Sequence, residues 1–445
     1  MIKVVKFGGS SLADATQFKK VKAIIDADHS RRYVIPSAPG RRFEADTKVT
    51  DMLYQYYDQV IAGLDSQDMK NRIKRRFAQI QTELKIDFDL DKELTIIDEQ
   101  FHHGANKDYA ASRGEYLNGL LMSKYLNIPF VDAKDVICFD EKGAFAPEKT
   151  NGRLQQVLMR YECAIIPGFY GAMPDGTIKT FSRGGSDITG SLVARAVKAD
   201  LYENWTDVSG FLLADPRIVD NPVPIGIITY KELHELSSMG ACVLHEDAIF
   251  PVRKEGIPIN IKNTNCPDDL GTMIVDNTTM KTNYKITGIA GKKGYYKVKI
   301  SNNQKHENLG CEVLEFLENE KIPFDCFPSD KDAVSILMQQ ESLKEVEQSF
   351  ISKVDTKLNY DLEALDSHIA LVAIGRREIK SKRGFARRIC RTLNQANISI
   401  KAMSQGNEEL TMLVGVRDED FEQAVRVIYD YFIDTNHVQG NLSII

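Results

Sequence analysis

The strongest constraint in this 445-residue chain is an alternation: up to about residue 275, short apolar β-rich runs are separated by stretches with helical periodicity. Candidate strands are Ile2 to Lys6, Tyr33 to Ser37, Cys163 to Gly168, Leu201 to Thr206 and Ile257 to Lys262. Between them, patterns such as Ile188, Leu192, Val193, Ala196 and Val197 repeat at the period of a helix with one apolar face. Strand and helix in alternation predict a mainly parallel sheet covered by helices on both faces, a three-layer α/β/α sandwich. Ligands of such sheets gather at the carboxyl ends of the strands, so the residues just after each strand carry the functional interest.

The texture changes after the polar stretch from Asp276 to Tyr284. Elements become shorter, and an internal repeat emerges at an offset of 76 residues. Leu309, Val313, Leu317, Ile322, Phe324, Val334, Ile336 and Met338 align with Phe385, Ile389, Leu393, Ile398, Ile400, Leu410, Met412 and Val414. Each copy reads as a small βαββαβ unit. A chain of this length exceeds one ordinary core, and the expected division is residues 1–283 followed by a region of two such modules, 284–445.

Bulk properties narrow the function classes. The formal net charge of −6 offers no general attraction for nucleic acid or an anionic membrane, and the basic run Lys74-Arg75-Arg76 reads as the solvated face of a polar helix. Seven cysteines without a CxxC pair fit reduced thiols. With no signal-peptide pattern and no run near the ~20 apolar residues of a membrane span, the expected compartment is the cytoplasm.

Four stretches hold the chemistry. Lys6-Phe-Gly8-Gly9-Ser10-Ser11 places a cation, two glycines and a capping hydroxyl between a strand and a helix; it reads either as a tight turn or as an anion site at a helix N-terminus. Ser182-Arg183-Gly184-Gly185-Ser186-Asp187 repeats that design before a well-patterned helix, with Arg183 able to grip a carboxylate bidentately and Asp187 either capping the helix or orienting Lys6 or an ammonium. Trp205 to Arg217 is a strand end and loop in which Arg217 either faces a nucleotide phosphate or is a surface residue. Glu115, in Ser112-Arg-Gly-Glu, is either solvated or the partner of a substrate amine.

In order, KFGGSS (6–11), SRGE (112–115), GFYG (168–171), SRGGSD (182–187), WTDVSGFLLADPR (205–217) and MGACVLH (239–245) resemble the signature blocks of aspartate kinases, members of the amino acid kinase superfamily that carry two C-terminal ACT modules of βαββαβ type. The resemblance implies transfer of the γ-phosphate of ATP to the β-carboxylate of L-aspartate, giving 4-phospho-L-aspartate, the first step towards lysine, threonine and methionine. It assigns catalysis to Lys6 and Asp187, and the nucleotide to Gly8, Gly9, Ser10, Thr206, Asp207 and Arg217. Aspartate falls to Ser37, Thr50, Glu115, Phe169, Arg183 and Ser186. An amino-acid effector, lysine or threonine, is expected near Asn308, Leu309, Gly310, Ser329 and Asp330 of a homodimer that can pair into tetramers. Mg²⁺ would bridge the nucleotide phosphates through water and phosphate oxygens without a dedicated protein site.

Three departures from the family pattern stand out: Cys242 where many relatives have lysine, Leu212 where tyrosine is common, and an altered Pro36-to-Arg42 loop. The competing readings are a glutamate or acetylglutamate kinase and a non-catalytic amino-acid sensor. The second repeat ends near Ile445, so no dehydrogenase domain is expected to follow it.

Overall fold

The computed structural model describes residues 1–182, 184–238, 246–278, 284, 286–301, 309–324, 333–343, 361–376, 384–405 and 410–440. The chain divides into two compact units: Met1–Phe211 with Pro224–Tyr230 and Val243–Thr278, and Leu212–Val223 with Lys231–Cys242 and Thr279–Ile445. Among the described residues no helix is long and apolar enough to cross a membrane.

The first unit contains a seven-stranded sheet. Its strands are β1 (Lys3–Phe7), β2 (Arg31–Pro36), β3 (Ala164–Ile165), β6 (Leu201–Thr206), β7 (Ile227–Thr229), β8 (Ile259–Asn263) and β9 (Thr272–Val275), in the order β3-β2-β1-β6-β8-β9-β7. All pairings are parallel except β8 with β9. A small hairpin, β4 (Tyr170–Ala172) and β5 (Ile178–Thr180), stands apart from it. The five strands expected from the sequence are all present, within a few residues of their expected ends.

The strand period of two explains both the burial and the site. Val5, Phe7, Val34, Ile165 and Trp205 point to one face, where they join the core formed by helices α1 (Ala15–Asp26), α2 (Val49–Ile61), α3 (Gln67–Leu84), α4 (Leu90–His102) and α5 (Lys107–Leu126). Lys6, Tyr202 and Asn204 alternate with them and reach the other face, covered by α7 (Gly185–Ala196), which packs between α6 (Pro147–Leu158) and α8 (Glu246–Lys254). With both faces covered, β1 reads as a continuous apolar run in which Lys6 is the buried exception.

In the second unit β10 (Gly288–Ser301), β11 (Ala333–Gln339), β12 (Asp361–Gly375), β13 (Ala402–Gln405) and β14 (Thr411–Arg417) form an antiparallel sheet in the order β11-β10-β12-β14-β13. The repeat is visible in its helices: Leu309–Asn319 and Phe385–Gln395 are both 11 residues long. Val313, Leu317, Ile336 and Met338 of the first copy are fully buried, as are Ile389, Leu393 and Val414 of the second.

Close packing beside the sheet edge makes one glycine irreplaceable. A Cβ on Gly168 would lie 2.6 Å from Cβ and 2.7 Å from Cα of Ser186 at the start of α7, so Gly168→Ala must push the helix away. The expected cost is about 1–3 kcal/mol, read as a lower urea midpoint. Gly152 on α6 is the control, because an added Cβ there would meet nothing within 4 Å: Gly152→Ala should raise stability by about 0.5–1 kcal/mol.

Candidate active site

The parallel strands bring their carboxyl ends to one edge of the first unit. Lys6, one residue from the end of β1, is 8% exposed, and its Nζ lies 2.7 Å from Oδ1 of Asp187 in the first turn of α7. Asn204, the register partner of Lys6 on β6, donates from Nδ2 to the same Asp187 oxygen at 2.7 Å and accepts from Lys6 Nζ at 3.5 Å. Gly184, at φ +57°, starts α7 with no side-chain cap, so the Asp187 carboxylate serves Lys6 and not the helix end. Asp187 and Asn204 thus occupy two of the three ammonium donors and fix its position. Sequence reasoning missed Asn204; a polar pair, Glu203 and Asn204, in the middle of a buried strand was the available signal.

Two loops cross beside this cation. The Gly8 amide donates to Trp205 O at 3.0 Å, and Gly40 N donates to Gly9 O at 2.8 Å. A Cβ on Gly9 would sit 3.0 Å from Ala38 O, so the second glycine of the pair serves close approach of the 38–40 loop. The commitment of Gly8 leaves Gly9 and Ser10 as the amides of this turn for an incoming anion. Ser10 and Ser11 do not cap the following helix as expected: Ser10–Leu12 is a separate 3₁₀ turn, and α1 is capped by Asp14, which accepts from Gln17 N at 2.9 Å. The Ser11 hydroxyl instead shares a 2.8 Å hydrogen bond with that of Thr264 after β8.

The reading of Lys74-Arg75-Arg76 as a solvated face also needs correction. Arg76 is 4% exposed; it donates to Asp46 at 2.7 Å and to Gly40 O, tying α3 to the loop that crosses Gly9. Helical spacing turns Arg76 inward with Ile73 and Phe77, whereas Arg75 is exposed.

Helix α5 supplies the carboxylate of the site. Asn106 caps it by accepting from Tyr109 N at 2.7 Å, and Gly114 lets it approach Ala38, whose Cβ would lie 2.8 Å from a Cβ on Gly114. Glu115 is 6% exposed, and its Oε2 has no hydrogen-bond partner. Burial pushes its pKa up to about 8 against the pull of the Ala38 backbone amide. One turn along, Asn118 donates to Ser37 O at 2.6 Å, and Ser37 N donates to Phe7 O at 3.1 Å. Thr50 is half-buried in the first turn of α2. Phe169 has φ +82°, with its amide donating to Thr189 Oγ1 at 3.2 Å and its ring against Gly185, while Ser186 is buried against Gly168. Lys6, Gly8, Gly9, Ser37, Glu115, Phe169, Ser186 and Asp187 are therefore linked through shared contacts; Arg183 and Cys242 lie outside the described residues.

The remaining positions are placed differently. Thr206 ends β6 and donates from Oγ1 to Asp207 at 3.1 Å. Arg217 belongs to the second unit, is largely exposed and is paired with Asp215 at 2.6 Å, an interaction that holds the Asp215 carboxyl below its usual range. Its loop is stitched into that unit: Ile289 N donates to Leu213 O at 2.7 Å, Val223 N to Tyr429 Oη at 2.9 Å, and Arg426 Nε to Ile218 O at 2.8 Å. Leu309 starts its helix as a buried core residue with Gly310 beside it, and Asn308, Ser329 and Asp330 lie outside the described residues.

A parallel sheet whose carboxyl edge combines an oriented lysine, glycine-backed amides and a buried, unpaired carboxylate defines a site for reactants that bear opposite charges. The amino acid kinase family model matches residues 1–263 and an ACT domain model matches residues 372–432; the chain belongs to the amino acid kinase family. Within it the full-length likeness is to aspartokinases. Aspartokinase 3 of Bacillus subtilis is 33% identical over 448 residues, covering 97% of this chain and 98% of that protein. The aspartate kinase of Clostridium acetobutylicum is 46% identical with a TM-score of 0.89, covering 97% of this chain and 99% of that one. Aspartokinase III of Escherichia coli, solved with aspartate and ADP, shares the fold at 23% identity and a TM-score of 0.73, over 97% of this chain and 99% of that one.

The buried Glu115 carboxyl generates a prediction about stability. Its folded pKa lies above its unfolded value, so the native state keeps a proton that the unfolded chain releases, and stability falls as pH rises from about 4.5 to about 8. Glu115→Gln should match the parent at pH 4 and exceed it at pH 9 by on the order of a few kcal/mol. Urea midpoints measured across that range check it; parallel curves would refute the burial argument.

Proposed function

We propose that the chain is an aspartate kinase that transfers the γ-phosphate of ATP to the β-carboxylate of L-aspartate. The observation that carries the reading is the Lys6–Asp187 pair, held at 2.7 Å on the sheet edge in a unit that also presents the unpaired carboxylate of Glu115. A carboxylate acceptor is already ionised at neutral pH, so the reaction needs no general base. What it needs is alignment of two anions and neutralisation of the charge on the phosphoryl group in flight. Lys6, its position fixed by Asp187 and Asn204, supplies that charge, and the amides of Gly9 and Ser10 receive phosphate oxygens.

Glu115 receives the aspartate ammonium, which lowers its raised pKa; binding at neutral pH therefore releases a proton. Ser37, Thr50, Phe169 and Ser186 line the aspartate pocket and Arg183 holds the α-carboxylate. Gly8, Thr206 and Asp207 complete the nucleotide site of the first unit, and Arg217 is assigned to the nucleotide by the family resemblance alone; ATP as the donor is supported by the aspartokinase relatives. Mg²⁺ would arrive on the nucleotide phosphates, held by water and phosphate oxygens. The metal would add positive charge to those oxygens.

The division near residue 283, the second ACT module and assembly as a homodimer, with further pairing to tetramers, belong to the same reading. So do a cytoplasmic location and a place in lysine, threonine and methionine biosynthesis. Lysine or threonine would act through the region around Asn308, Leu309, Gly310, Ser329 and Asp330. The ACT match at 372–432, which does not reach those residues, supports an effector role for the C-terminal region.

Hydroxylamine trapping of the acyl phosphate tests the reaction. Hydroxamate should form from aspartate and ATP and decline with lysine or threonine present; formation from glutamate alone would overturn the substrate assignment. Lys6→Ala should lower kcat by about 10²–10³ with a small change in KM, because its charge matters most in the transition state. Near-normal turnover would remove Lys6 from the mechanism.

A further inference from the structure

Arg113 lies two residues before Glu115 on α5, about 200° around the helix, and so faces away from the site just described. Its side chain is buried, with the residue 5% exposed, yet among the described residues it forms no ion pair. Its Nε and Nη2 both donate to Ser112 Oγ, at 3.1 and 2.9 Å, and the guanidinium is also within hydrogen-bonding reach of the Tyr109 hydroxyl. The guanidinium carbon lies 4.3, 4.5 and 5.2 Å from the ring centres of Tyr109, Tyr116 and Tyr170. The two nearby carboxylates are engaged by hydroxyls: Tyr116 Oη donates to Glu93 at 3.1 Å, and Tyr170 Oη donates to Asp132 at 2.7 Å.

A buried guanidinium with donors to spare is costly, and the carboxylates of Glu93 and Asp132, neither in ion-pair contact with it, together with three ring faces offset only part of that cost. Arg113, Tyr109, Tyr116 and Glu93 line a cavity of about 570 Å³ whose rim is formed by exposed residues such as His103 and Lys134. That volume is in the range of small-molecule sites. The contents also fit one: a planar cationic fork for an oxyanion, and aromatic walls for an organic body.

We propose that this cavity is a second ligand site of the first unit, taking a small carboxylate gripped by Arg113 with its body against Tyr109 and Tyr116. The site uses none of the residues assigned to phosphoryl transfer. Because α5 also carries Glu115, an occupant steadies the helix that presents that carboxylate.

Benzoate and inorganic phosphate serve as the test anions. Benzoate at 20 mM should raise the unfolding temperature of the full chain by about 2–4 °C in a saturable manner. Arg113→Met should abolish the shift, Arg113→Lys should weaken half-saturation about tenfold, and Lys6→Ala should leave it intact, which separates this site from the phosphoryl-transfer edge. In the wild-type protein, intermolecular NOEs should connect benzoate protons to the ring protons of Tyr109 and Tyr116, a readout that does not depend on any variant folding. Loss of the shift in Lys6→Ala with retention in Arg113→Met would move the anion elsewhere and overturn the proposal. A response to phosphate but not benzoate would overturn the carboxylate assignment. No shift with either anion, together with a less stable Arg113→Met, would show that Arg113 is a structural cation only.

Discussion

The interaction on which the site depends is the 2.7 Å pair between Lys6 and Asp187. It joins the end of β1 to the first turn of α7, two elements far apart in sequence, and Asn204 closes the triangle from the neighbouring strand β6. A lone ammonium at the edge of a largely apolar sheet would have many rotamers open to it and a desolvation cost. Two fixed acceptors reduce both problems and leave one ammonium donor uncommitted.

Everything around that triangle follows from parallel pairing. Parallel strands put their carboxyl ends together, so loops from β1, β2, β6 and β8 meet although they are scattered through the sequence. The close crossing of residues 8–10 over residues 38–40 requires glycine on both sides, since a Cβ on Gly40 would lie 2.4 Å from Gly9 C. Arg76 then anchors the second loop from outside the sheet. The buried carboxyl of Glu115, unpaired on one oxygen and costly to ionise, is a local instability kept at a position where an ammonium would relieve it.

Much of this was legible because it is periodic or sits at strand ends. The alternation of strands and helices defined the sheet, and the 76-residue offset defined matching helices at Leu309 and Phe385. Lys6 stood out as a charge in an apolar strand, whereas Asp187 read equally as a helix cap and Glu115 as a solvated residue until the signature blocks that hold them were taken in order. What the sequence hid depends on register and on loop crossing. Asn204 matters because it sits opposite Lys6 in the β1–β6 register, and one residue's slip would turn it to the other face. Arg76 looked like part of a charge run until the helix turned it inward. The capping serines failed because an intervening 3₁₀ turn separates them from α1. The loop of Arg217 reads as a continuation of β6, yet its hydrogen bonds to Ile289, Tyr429 and Arg426 are long-range and leave no local trace.

The central claim is that Lys6 acts as a cation whose position is set by the charge of Asp187. Steady-state kinetics of Asp187→Asn, which preserves shape and hydrogen-bonding capacity while removing that charge, tests it most directly. The account predicts that kcat for aspartate phosphorylation falls by about 10² while KM for aspartate and for ATP changes less than about threefold. A variant with parental kcat, or one whose loss appears only in KM, would contradict it.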